Sequence, residues 1–186
     1  MILARRRLLL AGLACVAAHA FAQEKAANPV RSVDITQSGD GYVANVVMQA
    51  PVPPKIAWDV LTDFANMEKW VPNVRESKVV TKDGNDLTIE QKGTAKFGIL
   101  AIPYTSVRKM QLDPQNTILS TQVSGSMRKL VSLMRVTPEG SGTRLDYKLE
   151  IVPSSIASSV MSKDFLKGEL TEQFTAIVGE MVRRTK

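Results

Sequence analysis

The feature that most constrains this chain is a tract from Val74 to Val152 in which apolar and polar residues alternate. In its clearest part, RLDYKLEI (Arg144 to Ile151), every second residue from Leu145 is apolar and the residues between are charged. Antiparallel strands with one buried face have this period. Turn-forming DGN, DPQN, GS and PEGSG interrupt the tract, which predicts a meander of strands. The predicted strands are Glu76–Lys82, Leu87–Phe97, Tyr104–Leu112, Thr117–Ser124, Met127–Thr137 and Thr143–Val152.

Two further strands and two short helices are predicted before this tract. The strands, Val30–Gln37 and Tyr42–Ala50, flank the turn sequence SGDG and form a hairpin. A proline-rich stretch then ends the sheet, and proline is well tolerated at a helix start. The short helices are predicted at Lys55–Thr62 and Phe64–Trp70.

The chain ends in one long amphipathic helix, predicted from about Ser158 to Arg184. A sheet with one apolar face must be covered, and this helix is the only predicted element long enough to cover it. We therefore predict an α+β fold for residues 30–186, a curved antiparallel sheet of about six to eight strands wrapped around the C-terminal helix. One helix does not fill a strongly curved sheet, so a cavity is expected. The apolar stripe of the helix consists of Leu166, Leu170, Phe174, Ile177 and Met181.

Residues 1–22 have the pattern of a cleaved export signal. Three arginines precede the apolar run from Leu8 to Ala18, and Ala20-Phe21-Ala22 is a small-x-small cleavage site. The apolar run is shorter than the roughly 20 residues that span a bilayer. A periplasmic protein starting near Gln23 is predicted, with a flexible N-terminus at 23–29.

Removal of the signal would exclude several kinds of chemistry. The single cysteine (Cys15) and single histidine (His19) both lie within it, so the mature chain would have no thiol or imidazole for nucleophilic catalysis or zinc binding. Loss of three arginines lowers the net charge from +6 to +3, which gives no indication of nucleic-acid binding. No metal or nucleotide motif is present in the sequence, and no cofactor is predicted.

Three stretches of the chain resemble a known superfamily. They are IAWDVLTDFANMEKWVPNVRESKVV, EQKGTAKFG and RVTPEGSGTRLDYKLEI. The chain resembles the START-like helix-grip (SRPBCC) superfamily over residues 30–184, in particular the polyketide cyclase/dehydrase and coenzyme Q-binding protein group. The resemblance implies a helix-grip fold, in a superfamily that includes lipid carriers and aromatase/cyclases. Where these proteins commonly have a tryptophan in the sixth main strand, this chain has Met134, which would give the cavity a more adaptable wall.

The stretch GILAIPYTSVR, residues 98–108, provides the candidate ligand site. If the flanking strands form a hairpin with Tyr104 opposite Phe97, then Ser106 lies opposite Ala95, Arg108 opposite Gly93, and all of these side chains face inward. Other inward positions supply Gln91, Thr121 and Tyr147 but no carboxylate. The predicted ligand-binding residues are Phe97, Ile99, Tyr104, Ser106, Arg108, Met110, Thr121, Met134, Tyr147, Met161 and Phe165.

An inward-facing arginine has three interpretations, because a buried guanidinium without a partner is costly. Arg108 pairs with an acid on a helix or reaches solvent, which would be a structural role. Alternatively, it binds an anionic or carbonyl group of a ligand. In the third interpretation it polarises a ketone as an electrophilic catalyst.

Three functional hypotheses follow from these residues and from the resemblance. The first is an exported carrier or sensor that binds a hydrophobic small molecule or lipid, with Arg108 as the polar anchor and residues 97–103 as an entry lip capable of transient membrane contact. The second is an aromatase/cyclase-like enzyme in which Tyr147, Arg108 and Ser106 orient a polyketide-type substrate. The third is a partner-binding module with a filled core and an apolar surface at residues 97–103.

Overall fold

The structure is a computed structural model that describes residues 28–97, 100–159 and 161–186. The predicted signal peptide, most of the predicted flexible N-terminus and Ile99 lie outside the described residues. The side chain of Phe97 is likewise outside the description, although its backbone is part of a strand.

The described residues form eight strands, three α-helices and one 3-10 helix, which spans Phe64–Lys69. The strands are β1 (Val30–Ser38), β2 (Gly41–Ala50), β3 (Val74–Asp83), β4 (Asp86–Phe97), β5 (Leu100–Asp113), β6 (Thr117–Gly125), β7 (Met127–Glu139) and β8 (Gly142–Pro153). The α-helices are α1 (Pro54–Leu61), α2 (Ser155–Ser158) and α3 (Lys163–Arg183). The strands form one fully antiparallel sheet in the order β1-β2-β8-β7-β6-β5-β4-β3.

The predicted helix-grip α+β fold is confirmed. The apolar stripe of α3 is buried against the inner face of the sheet, with Leu166 and Leu170 each 5% exposed and Met181 fully buried. Burying such a side chain stabilises the fold by about 1.5–3 kcal/mol. The hydrophobic effect therefore holds α3 inside the curved sheet, as the alternation of the strands requires.

Two helical segments differ in detail from the prediction. The second short helix is a 3-10 helix, because its backbone closes tight turns up to Trp70, whose N–H donates to the Met67 carbonyl at 3.2 Å. The long helix begins at Lys163, later than predicted, because the Ser162 side chain accepts a hydrogen bond from Phe165 N at 3.1 Å and caps it.

The predicted register of the β4–β5 hairpin is wrong. The strands pair out to Phe97 and Leu100, so Tyr104 lies opposite Gly93, Ser106 opposite Gln91 and Arg108 opposite Ile89. Each partner is four residues earlier than predicted, because β5 begins at Leu100 rather than at Tyr104. A shift of four residues preserves the alternation of faces, so these three side chains still share one face of the sheet.

Among the described residues, no helix is both long enough and apolar enough to cross a membrane.

Candidate functional site

A cavity of about 170 Å³ lies between the inner face of the sheet and the N-terminal half of α3. Several of its lining residues, among them Asn73, Ser126 and Glu169, are partly exposed, so the cavity opens to the surface. Larger depressions of about 200 and 580 Å³ occur elsewhere, but exposed charged side chains such as Arg135 and Asp40 line them. Most of the wall of the interior cavity is apolar and includes Leu130, Leu149, Ile151, Met161, Phe165 and Leu166.

A second, smaller cavity of about 90 Å³ lies deeper in the protein. Met110 and Met134 line it, together with the small polar residues Ser120 and Ser132. The two cavities share part of their lining, so these shared side chains form the wall between them. The shared residues are Val74, Gln91, Arg108, Tyr147 and Gln173.

Arg108 brings a positive charge into this dividing wall. One terminal nitrogen, Nη2, donates a hydrogen bond to Gln91 Oε1. The Nε atom is buried and has no hydrogen-bond acceptor among the described residues. Burial lowers the pKa of Arg108, and the nearby Tyr147 and Tyr104 counteract this effect in part. An arginine nevertheless stays charged at neutral pH, so the cavity contains a cation.

Gln91 holds the hydrogen bond to Arg108 in a defined orientation. Its Nε2 donates to Ser77 Oγ at 3.0 Å and to Met67 Sδ at 3.3 Å. Ser77 Oγ in turn donates to the Phe64 carbonyl at 2.5 Å. Because the amide nitrogen faces these two acceptors, the amide oxygen faces Arg108. The 3-10 helix thus orients the Gln91 amide in the cavity. The periodicity of the sequence does not indicate this role of the helix.

Two tyrosines complete the polar part of the cavity. Burial raises the pKa of Tyr104 to about 12, while Arg108 lowers it and Glu169 raises it further. Burial also raises the pKa of Tyr147, against the opposing effects of a hydrogen bond with Ser132 and of Arg108. The Tyr147 ring packs edge-on against Phe174, with ring centroids 4.9 Å apart. At neutral pH both phenols are protonated and can donate hydrogen bonds to a ligand.

Glu169 on α3 also lines the larger cavity and was not predicted from the sequence. Its Oε2 accepts a hydrogen bond from Asn73 Nδ2 at 3.1 Å, and its Oε1 accepts one from Lys96 N at 3.2 Å. It therefore links α3 to the loop before β3 and to β4. The only sequence signal was its position three residues after Leu166, which places it on the flank of the apolar stripe.

The structure brings eight of the predicted site residues to the two cavities and places one elsewhere. Thr121 lies on the outer face, is exposed and pairs with Lys109, so its predicted inward position is wrong. In the strand sequence TILSTQVS, both alternating sets of residues include apolar side chains. The set that faces inward contains Ile118, Ser120 and Gln122. Phe97 and Ile99 cannot be placed because the side chain of Phe97 and all of Ile99 lie outside the description. Tyr104, Ser106, Arg108, Tyr147, Met161 and Phe165 line the larger cavity, while Met110 and Met134 line the smaller one.

The fold and the cavity define a START-like protein with a hydrophobic-ligand-binding fold. Residues 43–184 match the model of the family described as "Polyketide cyclase / dehydrase and lipid transport", and the chain belongs to this family. No curated protein matches the chain.

Solved structures share the fold at low sequence identity. The STAR-related lipid transfer protein from Xanthomonas axonopodis is 12% identical, with a TM-score of 0.69 over 84% of this chain and 96% of that one. The Zhui aromatase/cyclase from Streptomyces sp. R1128 is 14% identical, with a TM-score of 0.64 over 77% of this chain and 95% of that one. A Thermus thermophilus protein, TTHA0849, is also 14% identical, with a TM-score of 0.66 over 77% and 99% of the two chains. These similarities establish the fold alone.

Proposed function

We propose that the protein is exported to the periplasm and there binds a hydrophobic small molecule or lipid in the cavity between the sheet and α3. The observation that carries this proposal is an apolar cavity on which a few polar groups converge, namely Arg108, Tyr104 and Tyr147. Binding sites for small molecules have this composition. Family membership supports the same class of ligand.

The size of the cavity limits what enters without rearrangement. An engineered apolar cavity of about 150 Å³ binds benzene, so about 170 Å³ holds a group of similar size. A longer ligand would extend through the opening of the cavity or displace flexible side chains such as Met161. Ala101 and Pro103 on β5 are exposed, which suits the proposed entry lip and a transient contact with lipid.

The binding proposal predicts that the ligand accompanies the purified protein. We expect native mass spectrometry of the mature protein, purified from the periplasm, to detect one hydrophobic molecule per chain, which small-molecule mass spectrometry identifies. An Ala95→Phe variant adds a ring at the lining of the cavity and is expected to lose most of this ligand. Thr121→Phe adds a ring on the outer face and serves as the control. Equal occupancy in both variants would argue against binding in this cavity.

Export has its own test. We expect the full-length chain, expressed in a Gram-negative host, to be recovered from the periplasm with Gln23 as its first residue, because Ala20-Phe21-Ala22 is a signal peptidase site. N-terminal sequencing of the fractionated protein measures this directly. A cytoplasmic protein that retains Met1 would contradict the export proposal and leave the binding proposal intact.

A cyclase-like enzyme is the second candidate function, favoured by the position of Arg108 beside Tyr147 at the wall between the cavities. Because burial raises the pKa of Tyr147, the phenol would act as a hydrogen-bond donor to a carbonyl and not as a base. Turnover of a polyketone that is lost in Tyr147→Phe would establish this function. The partner-binding module predicted a filled core, and the cavity therefore gives it no support.

A further inference from the structure

We propose that the ligand is an amphiphilic carboxylic acid, and that Gln91 determines this specificity by holding Arg108 without neutralising its charge. The inference rests on the proposed binding function and identifies its ligand class. Its basis is the set of groups around Arg108.

The groups that face Arg108 are neutral. Gln91 accepts its hydrogen bond, Gln122 lies opposite it on β6, and Tyr104 and Tyr147 are close enough to affect its pKa. No aspartate or glutamate among the described residues forms an ion pair with it. Arg108 is half-buried, with its Nε fully buried. A cation that is partly removed from water without a counter-charge is costly, so an anionic ligand that supplies the charge gains binding energy.

The one carboxylate among the described residues that line the larger cavity is Glu169, and it does not supply this charge. Both of its oxygens accept hydrogen bonds, from Asn73 Nδ2 and from the Lys96 backbone. Glu169 raises the pKa of Tyr104, whereas the groups that affect the pKa of Arg108 are the two tyrosines. The guanidinium is therefore free of ion pairing with the described residues.

Gln91 is suited to this role because it is buried, at 5% exposure, and fixed by Ser77 and Met67. Its side chain reaches Arg108 and offers the guanidinium only a neutral oxygen. A glutamate of the same size would place a negative charge there and form an internal ion pair. A ligand carboxylate would then meet repulsion where the wild-type protein offers attraction.

The positions of the apolar residues give the ligand an orientation. Arg108 lies at the inner wall of the larger cavity, which it shares with the smaller one. The carboxylate would bind there and accept hydrogen bonds from the guanidinium, whose Nε has no other acceptor among the described residues. The apolar part would pack against Phe165, Leu166 and Leu149 and extend toward the opening of the cavity.

The test compares three ligands that differ only in their head group: octanoate, octan-1-ol and methyl octanoate, measured by isothermal titration calorimetry at about pH 7.5 after delipidation. We expect wild-type protein to bind octanoate at least about tenfold more tightly than either neutral compound, which corresponds to about 1.4 kcal/mol. Gln91→Glu is expected to weaken octanoate binding by about tenfold or more and to change octan-1-ol binding by less than about twofold.

Two further variants complete the experiment. Arg108→Met removes the charge, keeps a side chain of similar length, and is expected to abolish the preference for octanoate even if Gln91→Glu does not fold. Gln111→Glu makes the same change of charge at an exposed position of β5 and is expected to leave all three affinities unaltered.

Each outcome bears on the inference in a different way. Equal affinity of the wild-type protein for octanoate and octan-1-ol would overturn it and leave the binding proposal standing. A preference for octanoate that survives in a folded Gln91→Glu, or in Arg108→Met, would also overturn it. If the wild-type protein binds none of the three compounds and carries no co-purified ligand, the proposed function fails and the inference fails with it.

Discussion

Gly93→Ala is expected to destabilise the protein by about 3 kcal/mol, because an added Cβ has no space at this position. The Cβ would overlap the Asn73 carbonyl oxygen and lie 2.5 Å from the ring and hydroxyl of Tyr104. The Asn73 oxygen cannot move away freely, since it accepts a hydrogen bond from Thr94 N at 2.9 Å. Urea unfolding monitored by circular dichroism measures the loss.

The matched control for this prediction is Gly168→Ala on α3. Nothing lies within 4 Å of a Cβ at Gly168, and the residue is exposed in a helix. Alanine there is expected to stabilise the protein by about 0.5–1 kcal/mol, because glycine is the poorer helix former. Equal stability of Gly93→Ala and the wild type would refute the close packing of Tyr104 over β4, and with it the position of Tyr104 in the cavity.

Glu180→Gln is expected to destabilise the protein by about 2 kcal/mol at neutral pH. Although Glu180 is only 5% exposed, it accepts hydrogen bonds from Arg183 and Arg184 at 2.6–2.7 Å. Arg184 also donates to Asp63 Oδ2 at 2.6 Å and so links the end of α3 to the segment between α1 and the 3-10 helix. The neutral glutamine amide cannot form these ion pairs. Its N–H groups would also face the N–H groups that Arg183 and Arg184 direct at the wild-type carboxylate.

The pH dependence of this effect has a defined sign. Hydrogen bonds from Arg183 and Arg184 lower the pKa of Glu180 to about 2, against the opposing effect of burial. As the pH falls, Glu180 is therefore protonated first in the unfolded chain, where its pKa has the ordinary value of 4.5. The stability that the charged carboxylate contributes is then lost as the pH falls toward about 2, the pKa in the folded protein. The difference in unfolding free energy between wild type and Glu180→Gln is expected to be largest above pH 5 and to disappear near pH 2.

The control for Glu180 is Glu172→Gln, an exposed residue of the same helix with no ion pair among the described residues. Its effect on stability is expected to stay below about 0.5 kcal/mol. A constant difference between wild type and Glu180→Gln from pH 7 to pH 2 would contradict the role of the charged carboxylate.

The strands and the inward face of β5 were predictable because both depend on a period of two. Alternation alone assigned Tyr104, Ser106 and Arg108 to the inner face, and the structure places all three at the larger cavity. The same period explains the two errors. A register shifted by four residues leaves every face unchanged. In β6 the outward-facing set contains two apolar residues, Leu119 and Val123, and the inward-facing set only one, Ile118, so the pattern assigned Thr121 to the wrong face.

The environment of Arg108 required the tertiary structure. Gln91 was recognisable as an inward residue, but its orientation depends on Ser77 and Met67, which are 14 and 24 residues away along the chain. Glu169 and Asn73, which lie 96 residues apart, meet only after α3 has packed inside the sheet.

The sequence by itself determined the class of fold, the inward arginine and the absence of Cys and His after residue 22, because periodicity and composition are local properties of the chain. Only the tertiary structure decided the register of the β4–β5 hairpin, the division of the interior into two cavities and the absence of a carboxylate partner for Arg108 among the described residues. These properties depend on contacts between distant segments, whose geometry is set by how closely the sheet and α3 pack and not by the pattern of any one segment.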